Sequence, residues 1–535
     1  MLGLSRQRLF SLSRNRDFLI RACSAIILVS VAFAVLLWAL VGRNTGSNRL
    51  EKIALEAKSD PEAMAEAIRE APEILVMARM NGWQLEGIFG EGNRAPIKAS
   101  GDALRFDPYE WVTSLLDESA LPADQLELFR AYAAALLGDD PEAGFERQTE
   151  LQTRFPDAPF ANELLGDLLI RRRDYPEGLD RLRSELRIRP SEFAADELIS
   201  RHLKQEEELQ QLLADPEVTR AASTRTLLDA RIALKDIGGI LKSVLAYSRE
   251  SYKPVYVGLG LFVAAVWFVI IGQLSGFRRG QLALYFSAVL LGAISAVLTL
   301  FAVILQEDVF QSMTRSHELV PGLIYCIAGI GLREETIKLL LFLPLVPILL
   351  KRGSEMEVLI VASMVGLGFA LEENIAYFNR GVGSQDVAVG RFLTANFLHM
   401  SMTGLIGFAC FRMIRFPKSH WEEFIATFLI VVCAHGIYDA VIMIPALGDI
   451  SIVSIVILAM LALRFFGLSG SLSMTGSHQI SPLGIFVIGT ACIVGVSLNV
   501  VCFGQAPHPT YLRFGLTAVP MMPVAFLFVN QWRSS

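Results

Sequence analysis

The sequence predicts an all-α protein, a polytopic transmembrane helical bundle of about ten spans with a soluble helical-repeat domain inserted after the first span. Three observations carry this. Residues 43–253 are dense in charge, whereas residues 254–530 are mostly apolar runs long enough to cross a bilayer, for which about 20 residues suffice. A separate apolar run ending near Val41 follows an arginine-rich start. The charged stretch carries helix-start signals and an internal repeat. The whole-chain values, 53% hydrophobic and 19% charged, average two different materials. The net charge of −6 is spread over both, and no basic surface suited to nucleic acid is present.

Residues 1–17 form a basic N-terminus, with Arg6, Arg8, Arg14 and Arg16, and residues 18–42 read as a signal-anchor helix. The apolar run is long for a signal peptide, and Ala39-Leu-Val41-Gly-Arg43 is a poor cleavage site, so the anchor stays attached. Its basic flank is expected in the cytoplasm, which places residues 43–253 outside.

Within residues 43–253, Asp60-Pro61-Glu62 and Asp215-Pro216-Glu217 each read as an N-cap aspartate followed by proline at the first helical position. Gly87–Gly101 reads as a loop. Across residues 122–190 features recur at a period of 34: Asp140 with Asp174, Gly144 with Gly178, Pro156 with Pro190. The spacing resembles a tetratricopeptide repeat, in which small residues lie where two helices touch. Such arrays bind peptides or proteins on a concave face, so a protein partner is expected there. A plain array of helical hairpins is the alternative.

Nine apolar segments follow, at about 255–274, 282–305, 319–350, 358–378, 391–414, 422–444, 449–466, 483–503 and 513–530. Lys and Arg fall in alternate loops: Arg278 and Arg279, Lys351 and Arg352, Arg412, Arg415 and Lys418, Arg464, then Arg533. The intervening loops hold Arg315, then Arg380 and Arg391, then Arg513. This bias places both termini in the cytoplasm. As a continuous helix the segment 319–350 would run about 48 Å, against a hydrocarbon core of about 30 Å. It must tilt or break, and Pro321, Gly322, Gly329 and Gly331 favour a broken or re-entrant start. All six cysteines lie in apolar segments without a C-x-x-C pair, so they read as small buried hydrophobes.

Four of these segments carry ionisable groups: Glu334-Glu335-Thr-Ile-Lys338, Phe369-Ala-Leu-Glu372-Glu373-Asn374, His399, and His435-Gly-Ile-Tyr-Asp439. A charge at a span centre costs about 3 kcal/mol on insertion scales, so such residues mark function by default. Glu334 and Lys338 share a helix face as a potential ion pair, which leaves Glu335 to face a cavity and act as base. Glu373 lies on the face of Phe369 and Tyr377, while Glu372 is expected to reach interfacial water. Asn374 is placed to hydrogen-bond a neighbour. His435 and Asp439, at i and i+4, are spaced for the carboxylate to orient the imidazole. From the orientation, all four groups converge in the outer half of the membrane. Two histidines and at least one glutamate match the ligand set of a mononuclear catalytic metal site, with His399, His435 and Glu373 as the expected ligands of a divalent metal such as Zn. The same groups without metal would still position and deprotonate water. No H-E-x-x-H, no G-x-S-x-G and no paired Tyr-Asp and Gly-x-Gly-Asp motifs occur.

At these residues the chain resembles the PrsW family of intramembrane proteases. The family pattern is Glu-Glu-x-x-Lys, Gly-Phe-Ala-x-x-Glu-Asn, a His, and His-x-x-x-Asp on consecutive spans. The matching residues are Glu334 to Lys338, Gly368 to Asn374, His399, and His435 to Asp439. The resemblance covers about residues 255–466, which delimits a protease core at 254–466 and leaves 467–535 as two further helices. It implies hydrolysis of peptide bonds in membrane-anchored proteins, as in regulated proteolysis. It also implies that Glu334, Glu335, Glu373, His399 and His435 form the site, with Asp439 beside them and Lys338 and Asn374 in support. A transporter with a buried proton relay and a non-catalytic scaffold built on the repeats are the rival expectations. The first lacks detectable inverted repeats, and the second sits poorly with a complete set of motifs.

Overall fold

Helix is the only regular secondary structure among the described residues of the computed structural model. These are 15–41, 61–77, 108–252, 254–275, 280–352, 354–379, 385–450, 452–472, 487–492 and 495. The chain divides into two compact units, Asn44–Ser243 and the combination of Met1–Arg43 with Val244–Ser535. The expected loop at Gly87–Gly101 and the expected span at 513–530 lie outside the described residues.

In the first unit, helices pair in sequence order. α1 (Ala123–Leu137) packs on α2 (Pro141–Arg154), and α3 (Ala161–Arg171) packs on α4 (Tyr175–Ile188). α2 starts where Asp140 accepts a hydrogen bond from the Ala143 backbone N–H at 3.0 Å, with Pro141 supplying the preset φ of the first turn. Asp215 caps Pro216–Ala221 in the same way, through the Glu217 N–H at 2.8 Å. The periodic glycines sit at the helix contacts. A Cβ on Gly144 would come within 2.3 Å of the Ala135 backbone nitrogen, and one on Gly178 within 3.0 Å of the Gly166 carbonyl. Leu128, Phe129, Tyr132, Leu164, Leu182 and Leu198 fill the core between the pairs.

In the second unit the N-terminal helix Arg16–Val41 covers the expected anchor. Five helices are long and apolar enough to cross a membrane among the described residues: Leu282–Val309, Glu355–Tyr377, Thr394–Arg415, Pro417–Met443 and Ile452–Leu472. A shorter apolar helix covers Gly260–Ser275. The expected span at 483–503 is described only at 487–492 and 495.

The apolar helices are not equivalent. Glu355–Tyr377 and Thr394–Arg415 are 83% buried within the unit, whereas Leu282–Val309 is 28% buried and the last two are 33% buried. The two central helices, α7 (Glu355–Asn379) and α8 (Gln385–Arg415), therefore form the inner layer. α5 (Leu282–Ile304), α9 (Pro417–Met443) and α10 (Ile452–Leu472) surround them, and their outward side chains (Phe286, Leu290, Ile430 and Val456 among them) suit lipid.

The segment 319–350 is neither broken nor re-entrant: it stays helical throughout and changes pitch instead. It runs as α-helix Leu319–Ile324, a π-helical stretch Tyr325–Gly331, α6 (Leu332–Phe342), a 3₁₀ turn Leu343–Leu345 and α-helix Val346–Arg352. Pro344 lacks the N–H that an α-helix needs, which accounts for the second change of pitch. A second π-helical stretch, Leu305–Val309, ends α5.

Close backbone approaches set the spacing around α6. A Cβ on Gly436 of α9 would lie 2.5 Å from the Ile327 Cα, inside the π-helical stretch. A Cβ on Gly366 of α7 would lie 2.3 Å from the His399 carbonyl oxygen. Small residues let helices approach where no hydrophobic force drives them together.

The close backbone approach at Gly144 gives a direct test. Gly144→Ala should destabilise the α1–α2 pair by about 1–3 kcal/mol, because the clash is with backbone. Hydrogen exchange of amides in residues 123–154 should speed up accordingly, and unchanged protection would contradict this packing.

Candidate active site

The four ionisable constellations meet inside the second unit. α6 carries Glu334, Glu335 and Lys338; α7 carries Glu373; α8 carries His399; α9 carries His435 and Asp439. Their centre is the Lys338 ammonium, whose side chain is 0% exposed. It donates to Glu335 Oε1 at 2.7 Å, to His399 Nδ1 at 3.0 Å and to Glu334 Oε2 at 3.3 Å. Three N–H groups thus meet three acceptors. The ammonium also lies 3.9 Å from the centre of the Phe369 ring, whose face attracts a cation.

This arrangement fixes proton positions elsewhere. An ammonium has no acceptor, so His399 Nδ1 must accept. The neutral ring then carries its proton on Nε2 and donates it to Glu373 Oε2 at 2.9 Å. His435 Nδ1 lies 2.9 Å from Glu335 Oε1 and donates to it. The other nitrogen of His435, Nε2, faces Asp439 Oδ2 at 3.5 Å and Glu334 Oε2 at 3.7 Å. The two rings stand edge to face, with centres 5.4 Å apart.

The site has an inner and an outer side. Glu335, His435 and His399 are sealed in, while Glu334, Glu373 and Asp439 keep partial exposure. This reverses the expected division of labour in the glutamate pair. Glu335, expected to face a cavity, is the buried anchor of Lys338 and His435, and Glu334 is the carboxylate turned outward. Positions i+3 and i+4 both reach the Lys338 face of a helix, and α9 meets that helix on the Glu335 side. Asp439 does not orient the imidazole through Nδ1 either; Glu335 takes that place, and Asp439 stands off Nε2.

Asn374 is buried and points its amide nitrogen toward Asn396 Oδ1 at 3.5 Å. Glu372, expected to meet interfacial water, instead accepts a hydrogen bond from the Tyr252 hydroxyl at 2.8 Å. Outside the cluster, His420 is held by Arg412 and Ser419, and the His202 ring bonds the Leu198 carbonyl.

The cluster was also tested for a metal. Glu334, His399 and His435 bring one donor atom each to within 4.8 Å of one another. The expected set had Glu373 in place of Glu334. Two imidazoles and a carboxylate are the ligand chemistry of hydrolytic zinc sites. His435 Nε2 faces the carboxylate oxygens of Glu334 and Asp439, and Glu335 Oε2 is buried without a partner. Both observations fit a site that takes a cation. His399 has both nitrogens engaged, so coordination through either would cost it one hydrogen bond.

Residues 280–464 match the model of the PrsW family of intramembrane metalloproteases. No curated protein and no solved structure matches the chain. The matched segment contains every residue of the cluster.

Lys338→Met should cost about 3–5 kcal/mol, since it leaves Glu335 buried without its cation. Adding Glu335→Gln should recover part of the loss in thermal unfolding of the detergent-solubilised protein. Equal stability of Lys338→Met and the unaltered chain would contradict the arrangement.

Proposed function

We propose, from the premise that residues 280–464 are a PrsW-family intramembrane metalloprotease domain, that this chain cleaves membrane-anchored proteins at a peptide bond brought to the Glu334–His435 side of the cluster. The observation that carries this reading is the asymmetry of the glutamate pair. Glu335 is buried and holds Lys338 and His435 at short distance, whereas Glu334 meets Lys338 at 3.3 Å and keeps a partly exposed side.

In this reading Glu334 orients a water molecule and takes its proton as the water oxygen attacks the carbonyl carbon. The C–N bond then breaks, and the proton passes to the leaving amine. His435 is held by Glu335 with its Nε2 toward the reacting water, and a neutral imidazole there accepts a hydrogen bond or binds a cation. Lys338 is too deep to touch substrate; it holds Glu335 ionised and fixes His399. Glu373 holds His399 from the outer side. A divalent ion, zinc being the one this donor set suits, would be held by Glu334, His399 and His435, with His399 giving up one hydrogen bond and Glu334 serving as ligand instead of base, and would acidify water and polarise the carbonyl.

The Lys and Arg bias favours both termini in the cytoplasm of a bacterial cell and residues 43–253 outside. The helix pairs of the soluble unit then recruit or sense substrate, as a tetratricopeptide-like array would. A lateral approach between the lipid-facing helices suits a substrate with a single membrane anchor.

Glu334→Gln and His435→Ala, each inserted and folded, should lower cleavage of a co-expressed single-span substrate by about 10²-fold or more. Purified protein should hold a stoichiometric divalent ion that His435→Ala loses, and a chelator should stop cleavage. Cleavage that survives the chelator but not Glu334→Gln would assign the chemistry to glutamate and histidine alone. Undiminished cleavage in both variants would overturn the reading.

A further inference from the structure

A second polar knot lies beside the glutamate pair, outside the catalytic cluster. Arg333 immediately precedes Glu334. Its Nη1 donates to Gln306 Oε1 at 2.8 Å and faces Glu307 Oε1 at 3.4 Å. The Tyr325 hydroxyl donates to the same Glu307 oxygen at 2.8 Å. The Arg333 side chain is 9% exposed, and its Nε is buried without a partner.

The location of this knot is unusual. Gln306 and Glu307 lie in one π-helical stretch, and Tyr325 opens the other. Arg333 stands in the first turn of α6, directly after the second stretch ends at Gly331. The knot therefore spans the whole π-helical stretch that leads into the catalytic glutamates, tying its beginning and its exit to one point on the end of α5. Gln306 Nε2 adds a contact to the Met313 sulfur at 3.8 Å, and that sulfur would lie 2.8 Å from a Cβ on Gly329.

A π-helical stretch is less stable than α-helix and persists only where its surroundings hold it. It also sets register. Each residue of an α-helix turns the chain by about 100°, so relaxation of the stretch by one residue would turn α6 by about that angle against α9. Position 334 and position 335 would then exchange roles toward His435. The inner and outer division of the site depends on that register.

We propose that Arg333 is a positioning residue for the hydrolysis: clamped by Gln306 and Glu307, it holds the π-helical register of Tyr325–Gly331 and so decides which glutamate meets His435. This rests on the protease reading for its readout. Arg333 touches no catalytic group itself; it acts through the direction in which α6 presents Glu334 and Glu335.

The test is a double-mutant cycle on the full-length protein in membranes, with Arg333→Leu, Glu307→Leu and the double variant. Each single variant should lower kcat about 10–100-fold, as loss of outer supporting partners does, with KM for a single-span substrate unchanged. The double variant should be no slower than either single one. The charge-reversed pair Arg333→Glu with Glu307→Arg should recover part of kcat. A second readout does not need activity. In a chain lacking its native cysteines, a short bifunctional crosslinker should join cysteines placed at 335 and 435, and Arg333→Leu should shift crosslinking toward cysteines placed at 334 and 435. Unchanged kcat and unchanged crosslinking in Arg333→Leu would overturn the proposal. A lower yield of folded protein with normal kcat per folded molecule would also overturn it, by making the knot only a packing device. Absence of cleavage by the unaltered chain would count against the protease reading and leave the crosslinking result to decide the register.

Discussion

A lysine ammonium with no exposed surface is the constraint on which the second unit turns. Burying a charge in hydrocarbon is tolerable only when every proton finds an acceptor and an opposite charge is near. Lys338 meets that demand with Glu335, Glu334 and His399, and with the ring face of Phe369. Three helices, α6, α7 and α8, must come together for this to occur, and Glu335 then draws in His435 of α9. The lysine therefore dictates the tautomer of His399, and the anchored Glu335 dictates that of His435. The remaining functional atoms, Glu334 Oε2, His435 Nε2 and Asp439 Oδ2, face one another on the partly exposed side.

The packing serves that arrangement. α7 and α8 can lie close because Gly366 leaves room for the carbonyl of His399, and α9 reaches the π-helical stretch because Gly436 leaves room for Ile327. Each close approach fixes a histidine, or the residue beside one, against its neighbour. The π-helical stretch widens the turn just before the glutamates, a deviation from α-helix of the kind that recurs at functional sites. Local backbone irregularity and the polar cluster are thus parts of one construction: the first sets the angle at which the second is presented.

The extent to which this was legible in the sequence differs by residue. Which residues meet was readable, because glutamate, lysine and histidine are costly in apolar helices and have few other reasons to be there. The helix-start aspartate at 215 and the periodic glycines 144 and 178 were readable for similar reasons of fixed local chemistry. The roles within the glutamate pair were not. Helix spacing puts both Glu334 and Glu335 within reach of Lys338, and only the side from which α9 approaches decides between them. The pairing of Asp439 with His435 was readable from i, i+4 spacing, but not which ring nitrogen it meets. The departure from regular α-helix in 319–350 was signalled by Pro321 and the glycines. Its form was not, since π-helix is held by tertiary partners such as Glu307 and Tyr325 that lie 18 residues apart. Glu372 was expected in water because Tyr252, 120 residues earlier, gave no sign of its approach.

The central claim is that the cluster hydrolyses a peptide bond in a membrane-anchored chain, with Glu334 as the working carboxylate. The most direct measurement is made in lipid vesicles, with purified protein and a single-span substrate in water enriched in oxygen-18, followed by mass spectrometry of the products. The account predicts two fragments from the unaltered chain, with the heavy oxygen in the new carboxyl group, and intact substrate from Glu334→Gln. Intact substrate from both proteins, or the same labelled fragments from both, would contradict it.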